Sequence, residues 1–309
     1  MNSILLLGAN GQVGFELRRA LAPLGRVVCA TRSGELAPGL PCAQADLAQP
    51  ETLPTLLDEL RPACIVNAAA YTAVDRAEDE EALAQRVNGE ALQVLGAWAA
   101  RQGAAVVHYS TDYVFDGEQA QPYREDDVTA PLGAYGRSKL AGEQALAASG
   151  CAHLILRTAW VYAARGHNFL LSMLRLARER DELRVVADQH GAPTPASLIA
   201  AATAAILARW RAADDARGGI HHLTCGGQAS WHEFASAIVA RAHEMGLLPR
   251  RTPVRAITTA DYPTPARRPR WSVLDCSRVQ AAFGIALPDW RTGLDGVLAD
   301  FTAMRKPAE

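Results

Sequence analysis

The chain has no surplus of either charge, no paired cysteines and no apolar run long enough to span a bilayer, and each lack removes a class of function. Over 309 residues the formal net charge is -2, which gives nucleic acid or an anionic membrane nothing global to attract. Cys29, Cys42, Cys64, Cys151, Cys225 and Cys276 stand singly, without a C-x-x-C pair. That argues against a disulfide scaffold or a zinc site and suits buried thiols in a reducing cytosol. The apolar run near the N-terminus, Ile4 to Leu7, has no cationic lead and no cleavage-site pattern. Neither a secretory leader nor a membrane span is therefore expected, and the cytoplasm is the expected location. Repeats and low-complexity linkers are missing too. What is present, 49% hydrophobic residues, suffices for one large core or two coupled ones.

Ser3 to Leu7 stops at Gly8-Ala9-Asn10-Gly11-Gln12-Val13-Gly14, after which Phe15, Leu17, Leu21 and Leu24 recur with helical period. Strand, glycine turn and helix form the context that a dinucleotide requires. Gly8 allows the tight turn, Gly11 the approach of a pyrophosphate, and Gly14 the close packing of helix on strand, with the helix N-terminus facing the anion. A second strand, Arg26 to Arg32, ends in Thr31-Arg32-Ser33, with no acid to hold a ribose 2′-hydroxyl. Arg32 suits a 2′-phosphate, so NADPH is expected ahead of NADH. Asp46 and Leu47 follow a third strand and are candidates for adenine contact, a helix cap being the alternative for Asp46. The small Ala68-Ala69-Ala70 tail of the next strand would let a flat cofactor lie on the backbone. Ala104 to Phe115 turns polar at its carboxyl end, where an open α/β sheet binds ligands, which makes Ser110, Thr111 and Asp112 candidates by position.

Alternating strands and helices through about residue 162 predict an α/β fold, a Rossmann-like doubly wound parallel sheet with right-handed crossovers. The C-terminal half predicts a smaller α/β substrate domain. His167 to Arg180 reads as an amphipathic helix, 185–194 as a loop-rich insertion, and 196–210 as an alanine-rich helix returning to the sheet. Ser230-Trp231-His232-Glu233 has capping-box spacing and opens a helix to about Met245. The expected division is a dinucleotide-binding part, 1–165 plus about 195–225, and a substrate part, about 166–194 and 226–309, with the cleft between them. Between Tyr262 and Pro269 three prolines hold an extended path beside Arg267 and Arg268, which could clamp a diphosphate or form a solvated basic loop. His221-His222 lacks acid or cysteine partners at ligand spacing and reads as strand histidines, with no metal site.

Tyr135 and Lys139, four residues apart in Tyr135-Gly136-Arg137-Ser138-Lys139, project from one face of a predicted helix. A phenol titrates near ~10, and a neighbouring ammonium favours the phenolate. The glycine loop, a Ser/Thr at a strand end and Tyr-x-x-x-Lys together resemble the extended short-chain dehydrogenase/reductase superfamily, whose catalytic Ser/Thr, Tyr and Lys map onto Thr111, Tyr135 and Lys139. Gly11 to Gly14, Val66 to Asp75, His108 to Phe115, Arg157 to Tyr162 and Tyr262 to Pro269 resemble the dTDP-4-dehydrorhamnose reductase family nearly end to end.

That resemblance implies reduction of the 4-keto group of dTDP-4-dehydro-6-deoxy-L-mannose by NAD(P)H to dTDP-L-rhamnose, the last step of dTDP-rhamnose biosynthesis and a supply for cell-surface polysaccharide. It implies cofactor contacts from Gly11, Gln12, Val13, Asp46, Leu47, Ala68, Ala69, Ala70 and Tyr109, and sugar-nucleotide contacts from Thr111, Asp112 and Trp160. Tyr135 would protonate the alkoxide, Lys139 would lower its pKa and hold the nicotinamide ribose, and Thr111 would hydrogen-bond the substrate oxygen. Some members of the family bind magnesium through interface carboxylates. Here Glu16 stands at one such position but Ser197 at the other, so no metal-bridged dimer is expected, although a homodimer is compatible. A dehydratase of the superfamily would need Thr-Asp-Glu where Tyr113 follows Asp112. An epimerase that recycles its cofactor, or a non-catalytic cofactor-binding regulatory subunit, are the other readings to be separated by experiment.

Overall fold

The structure is a computed structural model that describes residues 3–212 and 218–305. Residues 1–2, 213–217 and 306–309, which the expected division includes, lie outside the described residues. The first strand, Ser3–Leu7, explains why its sequence is apolar without alternation. Ile4 and Leu6 meet Leu17, Leu21, Ile199 and Ile206 on one face of the sheet. Leu5 and Leu7 meet Leu53, Leu57, Leu92 and Leu95 on the other. A strand covered by helices on both faces has no solvent side to keep polar.

Seven strands run parallel in the order Gly219–His222, Ala152–Thr158, Ala105–Thr111, Cys64–Asn67, Ser3–Leu7, Arg26–Thr31, Ala43–Gln44. The chain winds outward from Ser3–Leu7 to one edge and then restarts on the other side at Cys64–Asn67. That reversal leaves a crevice beyond the carboxyl ends of these two strands, where ligands of doubly wound sheets bind. The expected sheet is thus present, and the alanine-rich helix Ala196–Ala212 does return to it, packing beside Gln12–Ala20.

The helix Ala134–Ala148 carries Tyr135 and Lys139 and is fixed at two depths. Gly142 lies so close to the Asn88 carbonyl that a Cβ there would come within 2.0 Å of it. Asn88 belongs to a π-helical turn, Arg86–Glu90, inside a stretch the sequence presents as one long helix. Its side chain accepts from the Tyr71 N–H at 2.9 Å and donates to the Tyr71 carbonyl and Ser138 Oγ, both at 3.0 Å. At the other depth Glu143 accepts two bonds from the Arg157 guanidinium, at 2.9 and 2.7 Å, with both side chains buried. The helix is therefore bolted to the strand Ala152–Thr158.

A second core gathers Leu170, Leu174, Phe234, Ile238, Trp290 and Leu294 from three helices, Phe169–Glu179, Trp231–Glu244 and Trp290–Arg305. They cover a short parallel pair, Leu183–Val186 with Val254–Ile257. The stretch expected to be loop-rich therefore begins as a strand, because Val185 and Val186 find edge partners far away in sequence. The capping box forms as expected: Ser230 Oγ accepts from the Glu233 N–H at 3.1 Å, and Glu233 accepts from the Ser230 N–H at 2.7 Å.

Candidate active site

The glycine loop opens the crevice. Gly8 holds φ at +73°, and a Cβ there would lie 2.7 Å from the Ala69 N–H nitrogen, so only glycine fits both the turn and the approach. Gly14 plays the packing part: a Cβ on it would lie 2.0 Å from the Gly8 carbonyl oxygen. It does not line the cavity, whereas Gly8, Gly11, Gln12 and Val13 do. Arg32, Asp46, Leu47 and Ala68 to Ala70 complete that end. The Thr31 hydroxyl is engaged by Glu35, donating to its carbonyl at 2.9 Å and accepting from its N–H at 3.1 Å. Arg32 and Ser33 are the polar groups facing the cavity there.

The cavity continues for about 900 Å³ to Trp160, Trp231 and Arg268, within the range of small-molecule sites. A dinucleotide fits its first half, where glycines and alanines leave backbone bare. The buried hydroxyls of Ser110 and Thr158 border the cavity with no hydrogen-bond partner among the described residues.

At its centre stand Thr111, Tyr135 and Lys139. Thr111 ends the strand Ala105–Thr111 and caps the short turn Asp112–Val114, its Oγ accepting from the Tyr113 N–H at 3.2 Å and donating to Asp112 Oδ1 at 3.0 Å. Burial pushes the Asp112 carboxyl up to about 6, against the neighbouring Ser272 hydroxyl and the hydrogen bond from Thr111. Burial also pushes the Tyr135 phenol up to about 12, with the neighbouring Thr111 hydroxyl working the other way. The Tyr113 ring meets Tyr135 edge-on at 5.9 Å.

Lys139 is buried, with Nζ 2.7 Å from the Tyr109 carbonyl and 3.0 Å from His108 Nε2. Burial brings its amine down to about 7, with Glu143 working the other way. The sequence suggested an ammonium beside the phenol; in the structure the Lys139 amine points toward the strand Ala105–Thr111. Tyr109 itself donates its hydroxyl to Thr203 at 2.8 Å and borders the cavity.

Beyond this centre the walls are aromatic. Trp160 adopts φ +48° and stacks flat on Trp231 at 3.5 Å, with Phe169 tilted against Trp231 at 4.6 Å. Gly191 makes room, since a Cβ there would sit 2.6 Å from the Trp160 ring. Asn168 caps its helix by accepting from the Leu171 N–H at 3.1 Å, and donates to Gln12 Oε1 at 2.8 Å, linking the glycine loop to the second core. The sequence reading missed Tyr71, Asn168, Phe169 and Trp231. Asn before an apolar helix, and Trp231 just inside the capping box, were the available signals.

The two arginines separate. Arg268 borders the cavity, donates to Asp75 at 2.8 Å, and is bonded to Thr264. Arg267 points outward to Glu118 at 3.8 Å, with its side chain 71% exposed, and does not line the cavity. The expected double guanidinium clamp is thus corrected to one arginine, because the prolines turn successive residues to opposite sides. Among the described residues no three His, Cys, Asp or Glu side chains cluster to hold a metal ion. No described helix is long and apolar enough to cross a membrane.

The family model for the RmlD substrate binding domain matches residues 1–303. A dTDP-4-dehydrorhamnose reductase of Burkholderia thailandensis is 52% identical over 296 residues, covering 93% of this chain and 95% of the relative. One of Escherichia coli K12 is 45% identical over 297 residues, covering 96% and 97%. The crystal structure of dTDP-4-dehydrorhamnose reductase from Bacillus anthracis in complex with NADP superposes with a TM-score of 0.85 at 30% identity, covering 97% of this chain and 100% of that one.

Proposed function

The chain belongs to the RmlD substrate binding domain family, and from that premise we infer that it reduces the 4-keto group of dTDP-4-dehydro-6-deoxy-L-mannose with NAD(P)H, giving dTDP-L-rhamnose. The observation that carries the reading is one continuous cavity with a glycine cradle at one end, Thr111, Tyr135 and Lys139 in its wall, and stacked tryptophans at the other end.

Gly8, Gly11, Gln12, Val13 and Ala68 to Ala70 would hold the cofactor, whose nicotinamide supplies a hydride to the carbonyl carbon. Arg32 favours NADPH, since a guanidinium pairs with a 2′-phosphate and the neighbouring Thr31 hydroxyl is taken. Tyr135 remains a protonated phenol at neutral pH, as a donor to the developing alkoxide must. Thr111 would hydrogen-bond the substrate oxygen, and Asp112 would touch the sugar nucleotide. Lys139, with an amine near 7, can give up and regain a proton at working pH, and it would hold the nicotinamide ribose. Trp160 and Arg268 face the sugar nucleotide.

On the same reading, residues 1–165 with about 195–225 form the cofactor part, and about 166–194 with 226–309 the substrate part. The six free cysteines suit the cytoplasm, and a homodimer is compatible with the reading.

The test is cofactor oxidation, followed by nicotinamide absorbance, with the 4-keto sugar nucleotide and NADPH or NADH in parallel. Steady, substrate-dependent and stoichiometric consumption, faster with NADPH, is the expected result. Binding of cofactor without consumption would instead fit an epimerase or a regulatory subunit.

A further inference from the structure

Among the described non-glycine residues only Arg61 and Trp160 have a left-handed backbone, with φ +42° and +48°. Arg61 is the C-cap of the helix Leu53–Leu60, a usual place for that conformation. Trp160 ends no helix, and a bulky residue stays in that region only where its surroundings over-determine it. Its place is close to the reacting centre. Thr158 is the register partner of Thr111 on the neighbouring strand, and Trp160 follows two residues later at the cavity wall.

Its neighbours supply that support. Trp231 lies flat on one face of the indole, 3.5 Å away with the planes 3° apart. Gly191 meets the Nε1 to Cζ2 edge so closely that a Cβ would lie 2.6 Å from Nε1 and from Cε2. The Thr194 N–H donates to the Trp160 carbonyl at 3.2 Å. Trp231 and Gly191 belong to one unit. The strands His190–Gly191 and Ala229–Ser230 pair antiparallel, and Trp231 comes next in the chain as the first residue of the helix that Ser230 caps. Behind Trp231, Phe169 is tilted against it at 4.6 Å and stacks on Phe234 of the second core at 5.6 Å. An indole carried at the end of the sheet is thus gripped from the second core.

We propose that Trp231 and Gly191 are positioning residues, which together clamp the Trp160 indole in the one orientation in which it meets the sugar nucleotide. The inference deepens the function proposed above and rests on it for the identity of the ligand. The clamp needs a flat ring, because a face-on stack holds an orientation that an aliphatic side chain of similar bulk does not. It also needs glycine at position 191, because a methyl there would push the ring edge away. With the stack gone, the left-handed backbone loses what holds it, and Trp160 is free to return to the β region and carry its indole from the wall. Trp231 borders the cavity too, so direct contact with the sugar is the rival explanation that a test must exclude.

The test is a double-mutant cycle on the full chain, read as KM for the 4-keto sugar nucleotide at saturating NADPH, together with a crystal structure of Trp231→Leu. Trp231→Leu should raise that KM about tenfold, the worth of an aromatic pair, and leave the KM for NADPH within about twofold. Trp231→Phe should recover most of the loss. Gly191→Ala should also raise the KM, although the stacking partner stays in place. In a Trp160→Ala background neither Trp231→Leu nor Gly191→Ala should cost much more, since the ring they act on is gone. Additive losses would overturn the proposal and make Trp231 a sugar contact in its own right. So would a Trp231→Leu structure in which Trp160 keeps its φ and its indole has not moved. Should Trp231→Leu fail to fold, the cycle between Gly191→Ala and Trp160→Ala decides. The crystal structure requires no turnover, so an inactive wild type would count against the reductase reading and leave the clamp to be judged on Trp160 itself.

Discussion

Thr111 donates its hydroxyl proton to the carboxylate of the next residue, Asp112, at 3.0 Å, so the direction in which that hydroxyl points depends on whether the carboxyl is ionised. Burial has moved that carboxyl to about 6. A carboxylate beside a forming alkoxide opposes it, and a carboxylic acid does not. The kcat/KM for keto reduction should therefore rise as pH falls through about 6. Asp112→Asn keeps an acceptor for Thr111 and removes the ionisation, so its pH profile should lose that inflection. Superimposable profiles for wild type and variant would remove Asp112 from the chemistry.

Tyr135→Phe removes the proton donor while leaving the ring that packs edge-on against Tyr113. Loss of general acid catalysis typically costs on the order of 10²–10⁴-fold, and kcat should fall by that much. Cofactor affinity, read by fluorescence titration, should change only a few-fold, since the glycine cradle is untouched. Turnover that survives the substitution would sink the role of the phenol.

The glycine loop, the sheet and the meeting of Thr111, Tyr135 and Lys139 in one cavity were legible because each is written locally: in the run before Gly8, in strand ends that turn polar, and in a four-residue spacing on one helix. What escaped was written across distance. Nothing near Lys139 in sequence announces that its partner is His108, thirty-one residues earlier, or that Asn67 on the next strand lies 3.2 Å from the same imidazole. Arg267 and Arg268 are neighbours with the same chemistry, and only the path of the chain turns one inward to Asp75 and the other out to Glu118. Val185 and Val186 look like loop until Ala256 and Ile257 arrive beside them.

The Arg157–Glu143 pair bolts the catalytic helix to the sheet with both groups 2% exposed. Arg157→Met leaves a buried carboxylate without its partner, which typically costs about 3–5 kcal/mol. Urea unfolding should register a loss of that order. Adding Glu143→Leu should restore much of the stability by removing the orphaned charge. A double variant as unstable as the single one would mean that the loss came from packing around Arg157.

Lys139 offers the clearest link between the site and the stability of the fold. Its folded pKa is about 7 against an ordinary 10.5, so between these values the unfolded chain binds a proton that the folded one does not. Stability then rises with pH across that window, and below pH 7 the full cost of charging a buried amine applies, on the order of 5 kcal/mol. Lys139→Met removes the titration. It also removes the bonds to His108 and the Tyr109 carbonyl, a loss that changes little with pH. The variant's stability relative to wild type should therefore be most favourable at pH 6.5 and decline by pH 9.5, as the wild type regains what its lysine costs. Urea melts at the two pH values measure that difference directly, with the pH-independent part cancelling. An equal difference at both values would mean that the buried lysine holds its proton through the whole range. The amine could then not serve as a proton carrier at neutral pH, whatever its position beside Tyr135.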